Sequence, residues 1–378
     1  MIILTIETSC DDTGVALVEK KDKDLRVISD TLSSQEDVHK KWGGVYPSAA
    51  KREHQKNLIP CFKKVLSDSG FLEKGKTEEK NVKEILKREP FLLKETEKFF
   101  KKNKVKKKID AIAVTVGPGL DPCLWVGVNF ARALSLYIDA PIIPINHIKA
   151  HILFFLFEKE DVEFPALALI ASGGHTELVL MESLYDYKII GKTRDDAAGE
   201  CFDKTARILG LPYPGGPSLS KEASNFSAKG KKLDIKLPRP MKYSDNYDFS
   251  FSGLKTAVLY DFLSREKKVQ KRKSYIREMS KEVEEAITDV LIFKLKKALK
   301  EHGAKTVILG GGVTANKTLQ EKAKRISDDF PEVKILLPHP SFSTDNAKMI
   351  GAAAFLEKRR EKENNVKANA NLKICDKI

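Results

Sequence analysis

Ile2, Leu4 and Ile6 recur at a spacing of two, a turn-prone Ser9-Cys10-Asp11-Asp12-Thr13-Gly14 follows, and Val15-Ala16-Leu17-Val18 resumes the apolar run. Apolar residues at period two on either side of a polar turn predict a β-hairpin whose tip carries hydroxyls and carboxylates. The same design returns where Ala166-Leu167-Ala168-Leu169-Ile170-Ala171 leads through Ser172-Gly173-Gly174-His175-Thr176 into Leu178-Val179-Leu180-Met181. Two more apolar runs, Ala111-Ile112-Ala113-Val114-Thr115-Val116 and Thr306-Val307-Ile308-Leu309, end in Gly117-Pro118-Gly119 and Gly310-Gly311-Gly312. Glycines at such strand ends let a ligand approach the backbone, and a helical pattern follows each. Helical spacing predicts helices over 51–68, 124–137, 147–157, 200–209, 274–301, 316–327 and 345–360. The stripe Ile276, Met279, Val283, Ile287, Val290, Leu291 and Leu295 along the longest of them reads as core. Alternating strands and helices with ligand turns at strand ends imply an α/β protein, and the repeated hairpin implies two similar lobes facing one cleft.

A length of 378 residues suits two lobes or two domains. The N-terminus lacks a positive leader, no apolar stretch approaches the roughly 20 residues that span a bilayer, and the five cysteines show no CxxC pair. A cytoplasmic location, off the membrane, is the expectation. The formal net charge of +14 favours a polyanionic partner such as nucleic acid. Half of that excess lies in 73–108, where 14 basic residues face 7 acidic ones. That segment reads as a solvated helical insertion, and the Asn/Lys-rich end, 361–378, as a flexible tail.

The candidate chemistry is concentrated in a few places. In Asn146-His147-Ile148-Lys149-Ala150-His151, Asn146 suits an N-cap, and His147 and His151 at i and i+4 share one helix face. Two imidazoles so placed can bind one metal or make unrelated hydrogen bonds, and the spacing leaves both open. Asp345, in Ser343-Thr344-Asp345-Asn346, offers a carboxylate ligand or a plain helix cap. The HExxH pattern of zinc proteases is excluded, because Ile148 stands where its general-base Glu is required. The turn 172–176 and the run Gly310-Gly311-Gly312-Val313-Thr314-Ala315-Asn316 can each present backbone N–H groups to a phosphate or simply close a tight turn. Between them, Asp203 on an expected helix can bond ribose hydroxyls or face solvent.

Taken together, several stretches closely resemble the tRNA N6-adenosine threonylcarbamoyltransferase family, TsaD in bacteria, formerly called O-sialoglycoprotein endopeptidases. They are Ile6-Glu7-Thr8-Ser9-Cys10-Asp11-Asp12-Thr13, Gly117-Pro118-Gly119-Leu120, His147 with His151, 172–176, 195–204, Tyr213-Pro214-Gly215-Gly216-Pro217, Phe249-Ser250-Phe251-Ser252-Gly253-Leu254-Lys255-Thr256, 310–316 and Thr344-Asp345-Asn346-Ala347. They occur in family order, and His175 resembles the bacterial and mitochondrial branch. The resemblance implies an actin-like ATPase (ASKHA) fold, with one lobe at 1–145 plus 338–360 and the other at 146–337.

It further implies a transferase that moves the threonylcarbamoyl group from threonylcarbamoyl-AMP to N6 of adenosine 37 in tRNAs reading codons that begin with A. One divalent metal, iron(II) ahead of zinc, would be held by His147, His151 and Asp345. Ser172, Gly173, Gly174, His175, Thr176, Asp203, Gly216 and Asn316 would hold the adenylate, and TsaB- and TsaE-type proteins would be partners; Asp11, at the tip of the first hairpin, is the candidate to accept the proton. The sequence departs from the family pattern at the insertion 73–108, at Asp121-Pro122-Cys123 and at Ser48. The rivals are a small-molecule kinase or carbamoyltransferase of the same fold, and a non-catalytic nucleic-acid-binding subunit.

Overall fold

The computed structural model describes residues 1–22, 24–227, 233–362 and 365–376. Two compact units make up the chain: Met1–Val38 with Val45–Glu160 and Asp345–Ile378, and His39–Gly44 with Asp161–Thr344. The first unit therefore runs on to Glu160 and keeps the helix that bears the histidine pair, whereas the sequence reading ended that lobe at residue 145.

Twelve strands are described: β1 (Ile2–Glu7), β2 (Asp12–Lys21), β3 (Asp24–Ser34), β4 (Leu72–Lys74), β5 (Asn103–Val105), β6 (Ala111–Gly117), β7 (Ile142–Asn146), β8 (Ala166–Ala171), β9 (Thr176–Ser183), β10 (Asp186–Lys192), β11 (Thr306–Gly310) and β12 (Lys334–Leu336). The first unit builds the sheet β3-β2-β1-β6-β7, and the second builds β10-β9-β8-β11-β12. The two orders are the same: an antiparallel three-strand meander continued by two parallel strands. The two hairpins read from the sequence are the first two strands of each meander. Every residue of β6, β7, β8 and β11 is buried, as near-continuous apolar runs in parallel strands covered on both faces require.

Helices overlap every stretch that periodicity marked: Pro47–Asp68, Asp121–Ile138, His147–Ile152, Ala198–Ile208, Lys273–His302, Lys317–Lys324 and Ala347–Leu356; the expected 147–157 breaks after Ile152 and resumes at Phe155–Glu158, and the expected 345–360 spans only 347–356. The stripe on Lys273–His302 is core as expected, with Met279, Val283, Ile287, Val290, Leu291 and Leu295 wholly buried.

Two segments differ from the sequence expectation. The insertion is solvated only on its outside. It comprises the ribbon β4-β5 and the helix Pro90–Phe100, and it sinks Val82, Leu86, Leu92, Phe99 and Phe100 into the same core as Phe62, Phe130 and Tyr137. The Phe100 and Tyr137 rings stack at 3.9 Å. The tail is docked, not frayed. Glu361 exchanges both backbone hydrogen bonds with Ile142, Asn369 N–H donates to Val116 at 2.7 Å, and Val366, Leu372 and Ile374 are buried. Three apolar residues among polar ones suffice to hold a short segment when its backbone groups also find partners. Residues 363–364 and 377–378 of that segment lie outside the described residues.

Candidate metal centre

The carboxyl ends of β1, β6 and β7 bring the first unit's chemistry together. Asn146 ends β7 in extended conformation, and its side-chain oxygen accepts from Ile148 N–H and Lys149 N–H, so the helix His147–Ile152 starts where the sequence capping rule puts it. One helical turn then sets the two imidazoles edge to face, their ring centroids 4.6 Å apart. Asp345, just before the helix Ala347–Leu356, closes on both: its Oδ1 lies 3.0 Å from His151 Nε2 and 3.4 Å from His147 Nε2. The three residues offer ligand atoms that all lie within 4.8 Å of one another.

The two edges that Asp345 makes with the histidines match those of a metal site. Bonds of about 2.1 Å make ligand-to-ligand edges of about 3.0 Å in an octahedron and about 3.4 Å in a tetrahedron. His151 Nδ1 is also buried without a hydrogen-bond partner, and both histidines are almost wholly buried. The donor set of two imidazoles and one carboxylate is that of a reactive centre with open positions.

The surroundings are anionic. Burial opposes a proton on His147, but the charges of Asp345 and Glu7 outweigh it and raise its pKa to about 10. Burial likewise opposes ionisation of Asp345, and the His147 charge overrides it and holds that carboxylate far below its ordinary range. Asp12, at the hairpin tip, is pushed up to about 7 by burial and then by the charges of Asp345 and Asp11. Burial, followed by the Asp11 and Asp345 charges, lifts Cys10 well above the usual thiol range. Asp11 itself is partly exposed at that tip.

The tip is held from behind. His54, wholly buried, meets Thr13 Oγ1 at 2.8 Å through Nδ1 and the Cys10 carbonyl at 3.0 Å through Nε2. Sequence reading missed both His54 and Glu7. Glu7 stands inside a quoted motif, but nothing in its spacing tells that its side chain is wholly buried.

The remaining expected residues lie in the second unit, where the structure gathers them. Ser172 Oγ accepts from His175 N–H at 3.1 Å, and Ser172 N–H donates to the His175 carbonyl, closing the turn. Gly173 and Gly174 are exposed with open space around them. Thr176 Oγ1 caps Ala198 N–H at 2.8 Å, and Gly199 N–H bonds the Ser172 carbonyl. Gly311, at φ +91°, packs so close to Ala171 that a Cβ would lie 2.6 Å from its carbonyl oxygen. Asp203 accepts Gly215 N–H at 2.7 Å, which anchors the helix Gly215–Ser224 that contains Gly216. Asn316 is engaged internally: its oxygen caps Leu319 N–H, and its amide donates to Ser220 Oγ and Glu284 Oε1.

The chain matches the model of the family described as tRNA N6-adenosine threonylcarbamoyltransferase, TsaD, over residues 26–74 and 91–352. The gap, 75–90, falls inside the insertion. The chain is 39% identical over 376 residues to the tRNA N6-adenosine threonylcarbamoyltransferase of Thermosipho africanus, covering 99% of this chain and 100% of that one. The chain belongs to the TsaD family. The protein of the same name from Persephonella marina is 39% identical over 366 residues, covering 96% of this chain and 91% of that one. This TsaD-family chain is thus an acyltransferase that modifies tRNA. Among solved structures, T. kodakarensis HypF matches 94% of this chain and 47% of its own, with a TM-score of 0.53 at 12% identity. That likeness speaks for the actin-like fold alone, in agreement with the sequence expectation.

Proposed function

We propose that this TsaD-family chain moves the threonylcarbamoyl group of threonylcarbamoyl-AMP to N6 of adenosine 37, in tRNAs reading codons that begin with A, at a centre where His147, His151 and Asp345 hold one divalent metal. The observation that carries it is the approach of Asp345 Oδ1 to both imidazoles, at 3.0 and 3.4 Å, from a position nearly two hundred residues away. Iron(II) is preferred to zinc as occupant, on the strength of the family resemblance.

In the reaction the N6 nitrogen forms a bond to the carbamoyl carbon, and the bond from that carbon to the phosphate oxygen breaks, so AMP leaves with the electron pair. The amine proton passes to a base, and Asp11 at the hairpin tip is the candidate. A bound divalent metal supplies Lewis-acid polarisation and a template for orientation. The protein's own contribution is to hold the ligands: Asn146 caps the helix of the histidine pair, and His54 fixes the tip that presents Asp11. In the second unit, the open glycines of 172–176 are assigned to the adenylate phosphate. Asp203 and Asn316, which bond their own chain, are assigned to shaping that site, with Gly216. The net charge of +14 suits phosphate contacts with tRNA. TsaB- and TsaE-type proteins are the proposed partners, in the cytoplasm; no described helix is long and apolar enough to cross a membrane.

The test incubates the full chain with those partners, threonylcarbamoyl-AMP and unmodified tRNA, then measures digested nucleosides by mass spectrometry. Threonylcarbamoyladenosine should form, and His151→Ala should lower its rate at least about 100-fold. Absence of the modified nucleoside under conditions where the Thermosipho africanus relative produces it rejects the assignment.

A further inference from the structure

Glu7 is the last residue of β1, and its side chain is wholly buried. A carboxylate out of contact with water is costly unless hydrogen-bond donors surround it. Three do. Ser9 N–H donates to Oε1 at 2.5 Å; Thr115 Oγ1, on the neighbouring parallel strand β6, donates to Oε2 at 2.5 Å; and His147 Nδ1 lies 3.2 Å from that same Oε2. Ser9 Oγ also approaches His147 Nδ1, at 3.3 Å. The far nitrogen of that ring, Nε2, is the one turned toward Asp345.

We propose that Glu7 is the positioning carboxylate of the metal centre, holding the His147 ring by its Nδ1–H so that Nε2 is the nitrogen left to ligate. The assignment rests on the metal reading above and deepens it. A carboxylate can only accept, so its partner nitrogen must be the donor, and Nε2, once its proton gives way to an ion, is the nitrogen that ligates. The two bonds to Ser9 and Thr115 keep the acceptor still, since they tie it to β1's own end and to the adjacent strand. The histidines differ in this respect: His147 has such a partner behind its ring, whereas His151 Nδ1 is buried without one. Glu7 meets the ring at Nδ1, on the side away from Asp345, so its part is to orient the ring and strengthen it as a ligand.

The experiment uses the full chain stripped of metal, with Zn²⁺ and Co²⁺ as probes. Binding is measured by competition with a chromophoric chelator, and the visible spectrum of the Co²⁺ form reports ligand geometry. Glu7→Gln keeps the shape but not the charge, and it should weaken Zn²⁺ binding about 10- to 100-fold and change the Co²⁺ bands. Thr115→Val removes one of the two bonds that fix Glu7 but leaves its carboxylate beside His147, so it should weaken Zn²⁺ binding by less than Glu7→Gln does. If Glu7→Gln does not fold, Glu7→Asp keeps the charge with a side chain one methylene shorter and should give an intermediate loss. Zn²⁺ affinity and Co²⁺ bands equal to the wild type in Glu7→Gln, while His151→Ala loses the metal, overturn the assignment and leave the metal reading standing. A wild-type chain that takes up neither ion overturns both.

Discussion

Asp195 shows how one exposed carboxylate can govern a helix in this chain. It accepts from Ser250 Oγ at 2.6 Å, Ser252 Oγ at 2.7 Å and Phe251 N–H at 2.8 Å, so it caps the helix Ser252–Ser264 from another segment. Burial works to raise its pKa, and the bonds from Ser250 and Ser252 outweigh that and lower it. A group whose folded pKa is depressed stabilises above its unfolded value and loses that contribution as pH falls through the folded one. Asp195→Asn should therefore cost about 0.5–1 kcal/mol at pH 7, a figure kept small by solvent exposure. In urea unfolding the difference from wild type should close as the pH falls through and below the ordinary carboxylate range; a gap independent of pH would refute the charge-based account. Residues of this kind mark the limit of what spacing tells. His147 and His151 were legible as a pair because a helix sets residues four apart on one face, and Asn146 was legible as their cap. Asp345 was not, since its partner lies across an entire second unit, and only the family resemblance joined them. Glu7 was hidden for another reason: burial of a carboxylate depends on which strand lies beside it.

At the scale of elements, the two hairpins, the strands β6 and β11 and the seven long helical stretches were legible because their periods are local, whereas the outer strands β3, β10 and β12 and the helices Gly215–Ser224 and Ser252–Ser264 were not read, and the final segment was misread because its apolar residues are too sparse to make a period. Yet it braces the elements that carry the histidine pair. Lys373 offers its carbonyl to Asn146 Nδ2 at 3.1 Å, the Ala370 carbonyl takes Gly119 N–H, and Asn369 sits so close to Gly117 that a Cβ there would lie 1.9 Å from its carbonyl oxygen. Gly117 also has φ +153°, where a side chain is strained. Ending the chain after Lys362 would uncover the contacts of Val366, Leu372 and Ile374, worth up to about 1.5–3 kcal/mol each as an upper bound. Such a truncation should lower the melting temperature by more than about 5 °C, and Gly117→Ala in the full chain should lower it in the same direction. A truncated chain that melts like the full one would mean the segment adds nothing to the fold.

Across the whole molecule, the residues proposed to bind metal and adenylate fall in two units of like topology. His147, His151, Asp345 and Glu7 all belong to the first, while 172–176, Asp203, Gly216 and Asn316 belong to the second. Because Asp345 and the histidine pair come from far-separated stretches of one unit, an ion held by them would tie the start of the helix Ala347–Leu356 to the helix His147–Ile152 that follows β7, and binding to the folded form alone stabilises by mass action. Zn²⁺ at 100 times its dissociation constant should thus contribute about 2.7 kcal/mol. Hydrogen exchange can locate that gain. Zn²⁺ alone should slow exchange at the ends of β1, β6 and β7 and in 345–356, whereas AMP alone should slow it at 172–176 and 310–316. The second half depends on the glycine turns doing what their open backbone suits them for. Protection by AMP confined to the first unit would move the adenylate site away from the second hairpin, and protection by Zn²⁺ confined to the second unit would take the metal from the histidine pair. Since the two sheets share one strand order, topology cannot tell which unit takes which ligand; the side chains at the strand ends decide it, carboxylates and imidazoles in one, bare glycines in the other.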